Sequence, residues 1–187
     1  PWQEEVAGST LVVNLAGAPI FGRWTDDTKR LIRESRVLTT RHIVEALGGG
    51  GTTLFSTSAV GYYGFHDDEE LDEGAPAGTD FLASVCREWE AAALAARDKG
   101  ARVVITRFGL VLGRNGGVLG QMIPMFRRFL GGPLGSGRQW FSWIHMEDLV
   151  GALGFLLERA DAEGPYNLTA PGAVTNRELA RALGRVL

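Results

Sequence analysis

The chain has 187 residues, enough for one domain with a sizeable core. Its 45% hydrophobic and 22% charged residues are ordinary for a water-soluble globular protein, and a formal net charge of -3 argues against a nucleic-acid partner. Cys86 is the only cysteine, which excludes an intramolecular disulfide and a cysteine-rich metal site; no apolar run reaches the length of a membrane span and no signal peptide opens the chain, so a reducing cytoplasm is the expected location and no membrane partner is expected.

The first apolar run of strand length lies in STLVVNLAG (9–17) and closes on Ala-Gly. A long helix is expected over 25–47. Thr25 is placed to cap it, Asp26 and Asp27 suit its positive end, and Val37, Thr40, Val44 and Leu47 share one face. Gly48 to Gly51 follow that helix and precede a strand, so they read as a C-terminal turn rather than a phosphate loop. TTLFST (52–57) is the next strand; it ends in the hydroxyls Ser56, Thr57 and Ser58, with Tyr62, Tyr63 and Gly64 at the corner beyond.

The acidic stretch HDDEELDEGAPAG (66–78) reads as a solvated loop, because its carboxylates lack ligand spacing. A helix is expected from near Thr79 or Asp80 to Gly100, then a strand over ARVVITR (101–107). GLVLGRNGGVLG is a glycine-rich turn region, QMIPMFRRFL an interrupted helix, and the segment from Gln139 a short extended piece leading into a helix near Glu147. PYNLTA (165–170) is a fourth strand, and Thr175 with Glu178 forms a capping box for the last helix. The chain opens at Pro1 and stops inside a helical pattern, so both ends are expected to be cut from a longer protein.

Strands alternating with helices of these lengths predict an α/β fold, a parallel sheet with helices on both faces. Ligands of such sheets bind beyond the carboxyl ends of the strands. Those ends carry Asn14, Leu15, Ala16 and Gly17, then Ser56, Thr57 and Ser58, then Arg107, Phe108 and Gly109. These are the candidate binding residues.

The order NLAG, FSTSAVGYYG, TRFGLVLG, WIHMEDL and GPYNLTAPGAVTNRELA resembles the extended short-chain dehydrogenase/reductase superfamily, in particular its NAD-dependent epimerase-like branch, some of whose members are labelled cell-division-inhibitor-like. The resemblance covers nearly the whole chain. It implies a Rossmann-like parallel sheet, partial here, over 1–115, and a mixed segment over 116–187 that combines part of a small C-terminal substrate lobe with a returning strand and helix. It implies NADP or NAD as cofactor and a small-molecule substrate. The superfamily's glycine-rich pyrophosphate turn has no counterpart in this sequence. The resemblance puts that turn before residue 1, so the 187-residue chain alone is expected to bind dinucleotide weakly or not at all.

The superfamily uses Ser, Tyr and Lys with a supporting Asn, the lysine lowering the phenol pKa from one helical turn away. Ser58 matches the serine. Leu82 and Cys86 stand at the tyrosine and lysine positions, and Cys86 reads as a small buried hydrophobe rather than a nucleophile. Arg36 stands at the asparagine position; it either clamps a carboxylate or phosphate or faces solvent. Tyr63 is the candidate replacement phenol, a hydrogen-bond donor rather than a base, so Ser58 and Tyr63 are the candidate catalytic residues. Leu110 and Phe141 replace the asparagine and arginine with which nucleotide-sugar members hold their substrate, which argues against a nucleotide sugar. Trp140, Phe141 and Trp143 either line an apolar pocket or, the preferred reading, serve packing. His145 and Asp148 are expected to order the turn before the following helix.

The resulting expectation is hydride transfer to or from a small carbonyl or alcohol, with Ser58 and Tyr63 polarising the oxygen. Its rivals are a dinucleotide sensor without turnover and a partner-binding protein. No metal is expected, and the sequence does not fix the oligomeric state.

Overall fold

The computed structural model describes residues 2–114 and 116–187. Pro1, at the opening of the chain, and Asn115, in the glycine-rich turn region, lie outside the described residues. In chain order the first elements are α1 (Trp2–Gly8), β1 (Leu11–Asn14), α2 (Asp26–Ala46), β2 (Thr53–Ala59), α3 (Phe81–Leu94), β3 (Arg102–Phe108) and β4 (Leu110–Leu112). They are followed by α4 (Gly117–Arg127), β5 (Trp140–Phe141), β6 (Trp143–His145), α5 (Met146–Glu158), β7 (Gly164–Leu168), β8 (Val174–Thr175) and α6 (Asn176–Val186). Short 3-10 turns cover Val60–Tyr63 and Ala95–Lys99.

Two compact units form. Of the described residues, one comprises those up to Phe65, Leu71–Arg107 and Asp161–Tyr166; the other comprises His66–Glu70, those from Phe108 to Ala160, and Asn167–Leu187. The main sheet has the order β1-β2-β3-β7, and β1 pairs with β2 in parallel, with Leu11 opposite Thr53 and Asn14 opposite Ser56. This is a Rossmann-like parallel sheet with helices.

The first unit follows from its pattern. Thr25 caps α2 by accepting from Thr28 N, and Asp80 caps α3 by accepting from Leu82 N and Ala83 N. Alternate side chains of the central strands, Leu54, Val103 and Ile105, pack against Val44 and Leu47 of α2 and its cap and against Ala93 and Ala96. Ala93 of α3 and Ala96 of the 3-10 turn after it bring only methyl groups to this contact. On the opposite face of the same strands Phe55, Val104 and Thr106 are buried as well, as expected of strands inside a parallel sheet. The strand β1 differs from the expectation of burial on both faces: Leu11 and Val13, on one face, stay 40% and 44% exposed, whereas Val12, on the other, packs against the core. The expected helix over 80–100 ends early as an α-helix. It tightens to the 3-10 turn after Leu94 and closes at Gly100, which takes a left-handed φ of +75°.

In the second unit β4 pairs in parallel with β6, and β5 antiparallel with β8. Pro124 lies inside α4. The capping box of α6 forms in full: Thr175 accepts from Glu178 N, and the Glu178 carboxylate accepts from Thr175 N. Among the described residues no helix is long and apolar enough to cross a membrane.

Candidate functional site

The turn after β1 is anchored from below. Asn14, buried at the end of the strand, donates from Nδ2 to Thr40 Oγ1 at 2.8 Å and accepts from Ala16 N at 3.1 Å. Trp89 of α3 donates to the same Thr40 oxygen at 2.9 Å. One hydroxyl of α2 thus ties α3 to the end of β1. Both polar ends of the Asn14 side chain are committed within the chain, and the exposed part of the turn is Leu15, Ala16 and Gly17. Arg36 fastens the continuation of the turn. Its Nη1 donates to Ala18 O and Ile32 O at 3.1 Å each, and its guanidinium lies 5.4 Å from the centroid of the Trp89 ring. A Cβ on Gly17 would stand 3.0 Å from Arg36 Cζ, so the bare glycine leaves room for the arginine. Burial lowers the Arg36 pKa below the usual guanidinium value, against an opposing effect of Cys86.

A second cluster joins β2, α3 and β3. Ser58 Oγ donates to Glu90 Oε1 at 2.6 Å. Arg107 donates to both oxygens of the same carboxylate, Nε to Oε1 at 2.9 Å and Nη2 to Oε2 at 2.8 Å. Its Nη1 reaches the Tyr63 hydroxyl at 2.8 Å and Glu73 O at 3.2 Å. The guanidinium carbon sits 3.6 Å from the centroid of the Tyr62 ring and 5.1 Å from that of Tyr63. Ser58, Tyr63, Glu90 and Arg107 are all buried. Burial opposes the Arg107 charge, and the hydrogen bonds to Glu90 and Tyr63 outweigh it, so the guanidinium is held more firmly protonated than usual.

The predicted residues Ser58, Tyr63 and Arg107 therefore meet in one network, while Asn14 and Arg36 belong to the neighbouring one. Glu90, which links Ser58 to Arg107, is absent from the sequence-based candidates, and so are Thr40 and Trp89. A signal for Glu90 existed: a carboxylate on the apolar face of α3 shared by Leu82, Cys86 and Ala93 needs a cation, and Arg107 closes the apolar run of β3.

Cys86 lies one turn before Glu90 and is 5% exposed. Burial first, and then the Glu90 charge, push its thiol up to about 11, against smaller opposing effects from Ser58, the Ala59 backbone and Arg36. It is a neutral thiol at physiological pH. Leu82, at the position of the family tyrosine, packs under the corner, its Cβ 4.0 Å from where a Cβ of Gly61 would stand. On β2 the Ser56 Oγ and Thr57 Oγ1 are buried and have no hydrogen-bond partner among the described residues. Ser56 is enclosed on the α3 side of the strand, whereas Thr57 projects from the opposite face and is partly exposed.

In the second unit Phe108 is half-buried, and Gly109 donates its N–H to Leu168 O at 3.0 Å. A Cβ on Gly109 would approach Ser142 O to 2.9 Å, so the glycine permits close backbone packing there. Trp140 donates to Asp68 Oδ1 at 2.8 Å, Trp143 donates to Gly172 O at 2.7 Å, and Phe141 pairs with Val174 in the β5–β8 ribbon. His145 caps α5, its Nδ1 accepting from Glu147 N at 3.3 Å. Among the described residues no group of three His, Cys, Asp or Glu is arranged to hold a metal ion.

The architecture recurs in known proteins. Residues 2–169 match the NAD dependent epimerase/dehydratase family. The Arabidopsis thaliana epimerase family protein SDR39U1 homolog, chloroplastic, is 48% identical over 191 residues, covering 100% of this chain and 55% of its own length. The chain therefore spans just over half of that relative. The crystal structure of human epimerase family protein SDR39U1 (isoform 2) with NADPH superposes with a TM-score of 0.84 at 36% identity, over 97% of this chain and 67% of that one. A nucleoside-diphosphate sugar epimerase from Corynebacterium glutamicum superposes with a TM-score of 0.83 at 38% identity, over 97% of this chain and 39% of that one. By its sequence, its parallel sheet and its helix order, the chain belongs to the NAD-dependent epimerase/dehydratase family.

Proposed function

We propose that the full-length protein binds a nicotinamide dinucleotide, NADP or NAD, at the carboxyl ends of β1, β2 and β3, and that it moves a hydride to or from a small carbonyl or alcohol. The observation that carries this reading is family membership together with the human relative crystallised with NADPH. The chain offers fitting groups at those strand ends: the exposed backbone of Leu15 to Gly17, and the unpartnered Thr57 Oγ1. An unpartnered hydroxyl is costly to bury, and a bound ligand with a polar edge would relieve it.

The dinucleotide would supply the redox chemistry, and the protein would supply position and hydrogen bonds. Ser58 and Tyr63 would serve the reaction from beneath. Each is bonded to the Glu90–Arg107 pair, and together they hold the end of β2 and its corner in one shape. Arg36 and Asn14 would hold the β1 turn in the same way. Phe141, in place of an arginine, suits a substrate without a diphosphate.

The test is a fluorescence titration of full-length protein with NADPH and NADH, followed by a carbonyl panel read by loss of nicotinamide absorbance. Saturable binding and turnover are expected; no binding of either dinucleotide overturns the reading. A second reading, a dinucleotide sensor, is favoured by one observation: the neutral Cys86 thiol and Leu82 stand where an acid–base pair would be needed. Saturable binding without turnover of any carbonyl would select it.

A further inference from the structure

We infer that Tyr62, rather than Tyr63, is the phenol that meets the ligand at the carboxyl ends of β2 and β3, donating its hydrogen bond to a substrate oxygen, with Arg107 beneath it as electrostatic support. The inference rests on the dinucleotide reading above and assigns a contact residue within it.

Both phenols lie in the short turn Val60–Tyr63 that follows β2 directly. Their environments differ. Tyr63 is 4% exposed, and its oxygen accepts the Arg107 Nη1 hydrogen bond at 2.8 Å. Tyr62 is only partly buried, and its hydroxyl makes no hydrogen bond among the described residues. The two rings meet edge to face with centroids 5.4 Å apart, so the inner phenol props the outer one.

What lies under the Tyr62 ring is the guanidinium of Arg107, 3.6 Å from the ring centroid. A cation against the ring face is attracted by its quadrupole and favours negative charge gathering on the phenol oxygen as it donates a strong hydrogen bond. The superfamily obtains that effect from a lysine one helical turn along. Here both helix positions are apolar, and the cation comes from the end of β3. Arg107 cannot swing away, since Glu90, Tyr63 and the Glu73 carbonyl hold all its nitrogens. A charge fixed before the ligand arrives needs no rearrangement when the oxygen develops charge. Glu90 tempers the field of Arg107 but lies on the side of the Ser58 hydroxyl, bonded to it at 2.6 Å. The ligand class that fits is a small carbonyl or alcohol whose oxygen accepts a phenol hydrogen bond.

The test is acetylation of full-length protein by N-acetylimidazole, mapped by mass spectrometry, with and without saturating NADPH, alongside the fluorescence titration. Tyr62 is expected to react in the free protein and to be protected at least about fivefold by NADPH, while Tyr63 stays unmodified. Tyr166, the third tyrosine of these 187 residues, serves as the internal reference. Where turnover is measurable, Tyr62→Phe is expected to lower kcat about 10²-fold with NADPH affinity unchanged. If NADPH binds and Tyr62 reacts equally with and without it, or does not react at all, the assignment fails while the dinucleotide reading stands. Full turnover by Tyr62→Phe has the same consequence. Failure of NADPH and NADH to bind removes both.

Discussion

Glu90 of α3 and Arg107 of β3 form a two-pronged ion pair in the interior of the first unit, with N–O distances of 2.8 and 2.9 Å and both side chains less than a tenth exposed. The carboxylate takes a third hydrogen bond from Ser58 and the guanidinium gives others to Tyr63 and the Glu73 backbone. So connected, a buried pair holds more than itself: it sets the end of β2, the tyrosine corner and residue 73 relative to one another.

Removing one charge should therefore be far worse than removing both. Glu90→Gln keeps the shape but leaves Arg107 buried and uncompensated, and a loss of about 3–5 kcal/mol is expected in urea unfolding. The double variant Glu90→Leu with Arg107→Met should lose less than Glu90→Gln alone. A Gln variant within about 1 kcal/mol of wild type would show that the pair carries little of the stability.

Cys86 should make stability fall in alkali. The thiol is favoured over the thiolate in the folded state, moving from 9.0 to about 11, chiefly through burial. Its contribution is complete below pH 9 and is lost as pH rises through about 11, a change of about 2–3 kcal/mol. The difference between wild type and Cys86→Ala across that range isolates it. Parallel curves would count against the enclosed thiol, as would rapid labelling of the native protein by iodoacetamide at pH 8.

Thr40 holds two buried donors at once, Asn14 Nδ2 and Trp89 Nε1, at 2.8 and 2.9 Å. Thr40→Val fills the same space but leaves both donors without their acceptor, so a loss of about 2–4 kcal/mol is expected. Thr40→Ser retains the oxygen and should lose only about 1 kcal/mol. Equal losses for the two variants in chemical denaturation would assign the effect to the methyl group.

Gly78 lies against the tyrosine corner. It donates its N–H to Tyr62 O at 2.9 Å, and an added Cβ would stand 2.6 Å from Tyr63 O and 2.8 Å from Gly64 N. These are backbone atoms and cannot turn aside. Gly78→Ala should cost about 1–3 kcal/mol and alter the near-ultraviolet circular dichroism of the tyrosines. An unchanged spectrum and melting temperature would mean that the corner is looser than these distances imply.

Much of the fold was legible because it rests on local signals. Thr25, the Thr175–Glu178 box and Gly100 marked helix ends, since capping depends on residues within one turn of each other. The apolar runs of β2 and β3 marked buried strands. The short α1 went unread, because a seven-residue helix with no buried residue leaves no periodic trace. The burial of β1 was also overread, since an apolar run signals burial without saying which face is covered.

At the candidate site the residue types were legible and their partners were not. Ser58, Tyr63 and Arg107 were identified singly, yet the group that joins them, Glu90, sits 32 residues from Ser58 and 17 from Arg107. The sequence by itself determined which apolar runs form the central strands, which helices are capped, and that hydroxyls and then phenols stand at the end of β2. Only the tertiary structure decided which hydroxyl keeps a free hydrogen bond and which is bound to a neighbour. Chain order encodes local geometry, but hydrogen-bond satisfaction depends on what the fold brings within 3 Å.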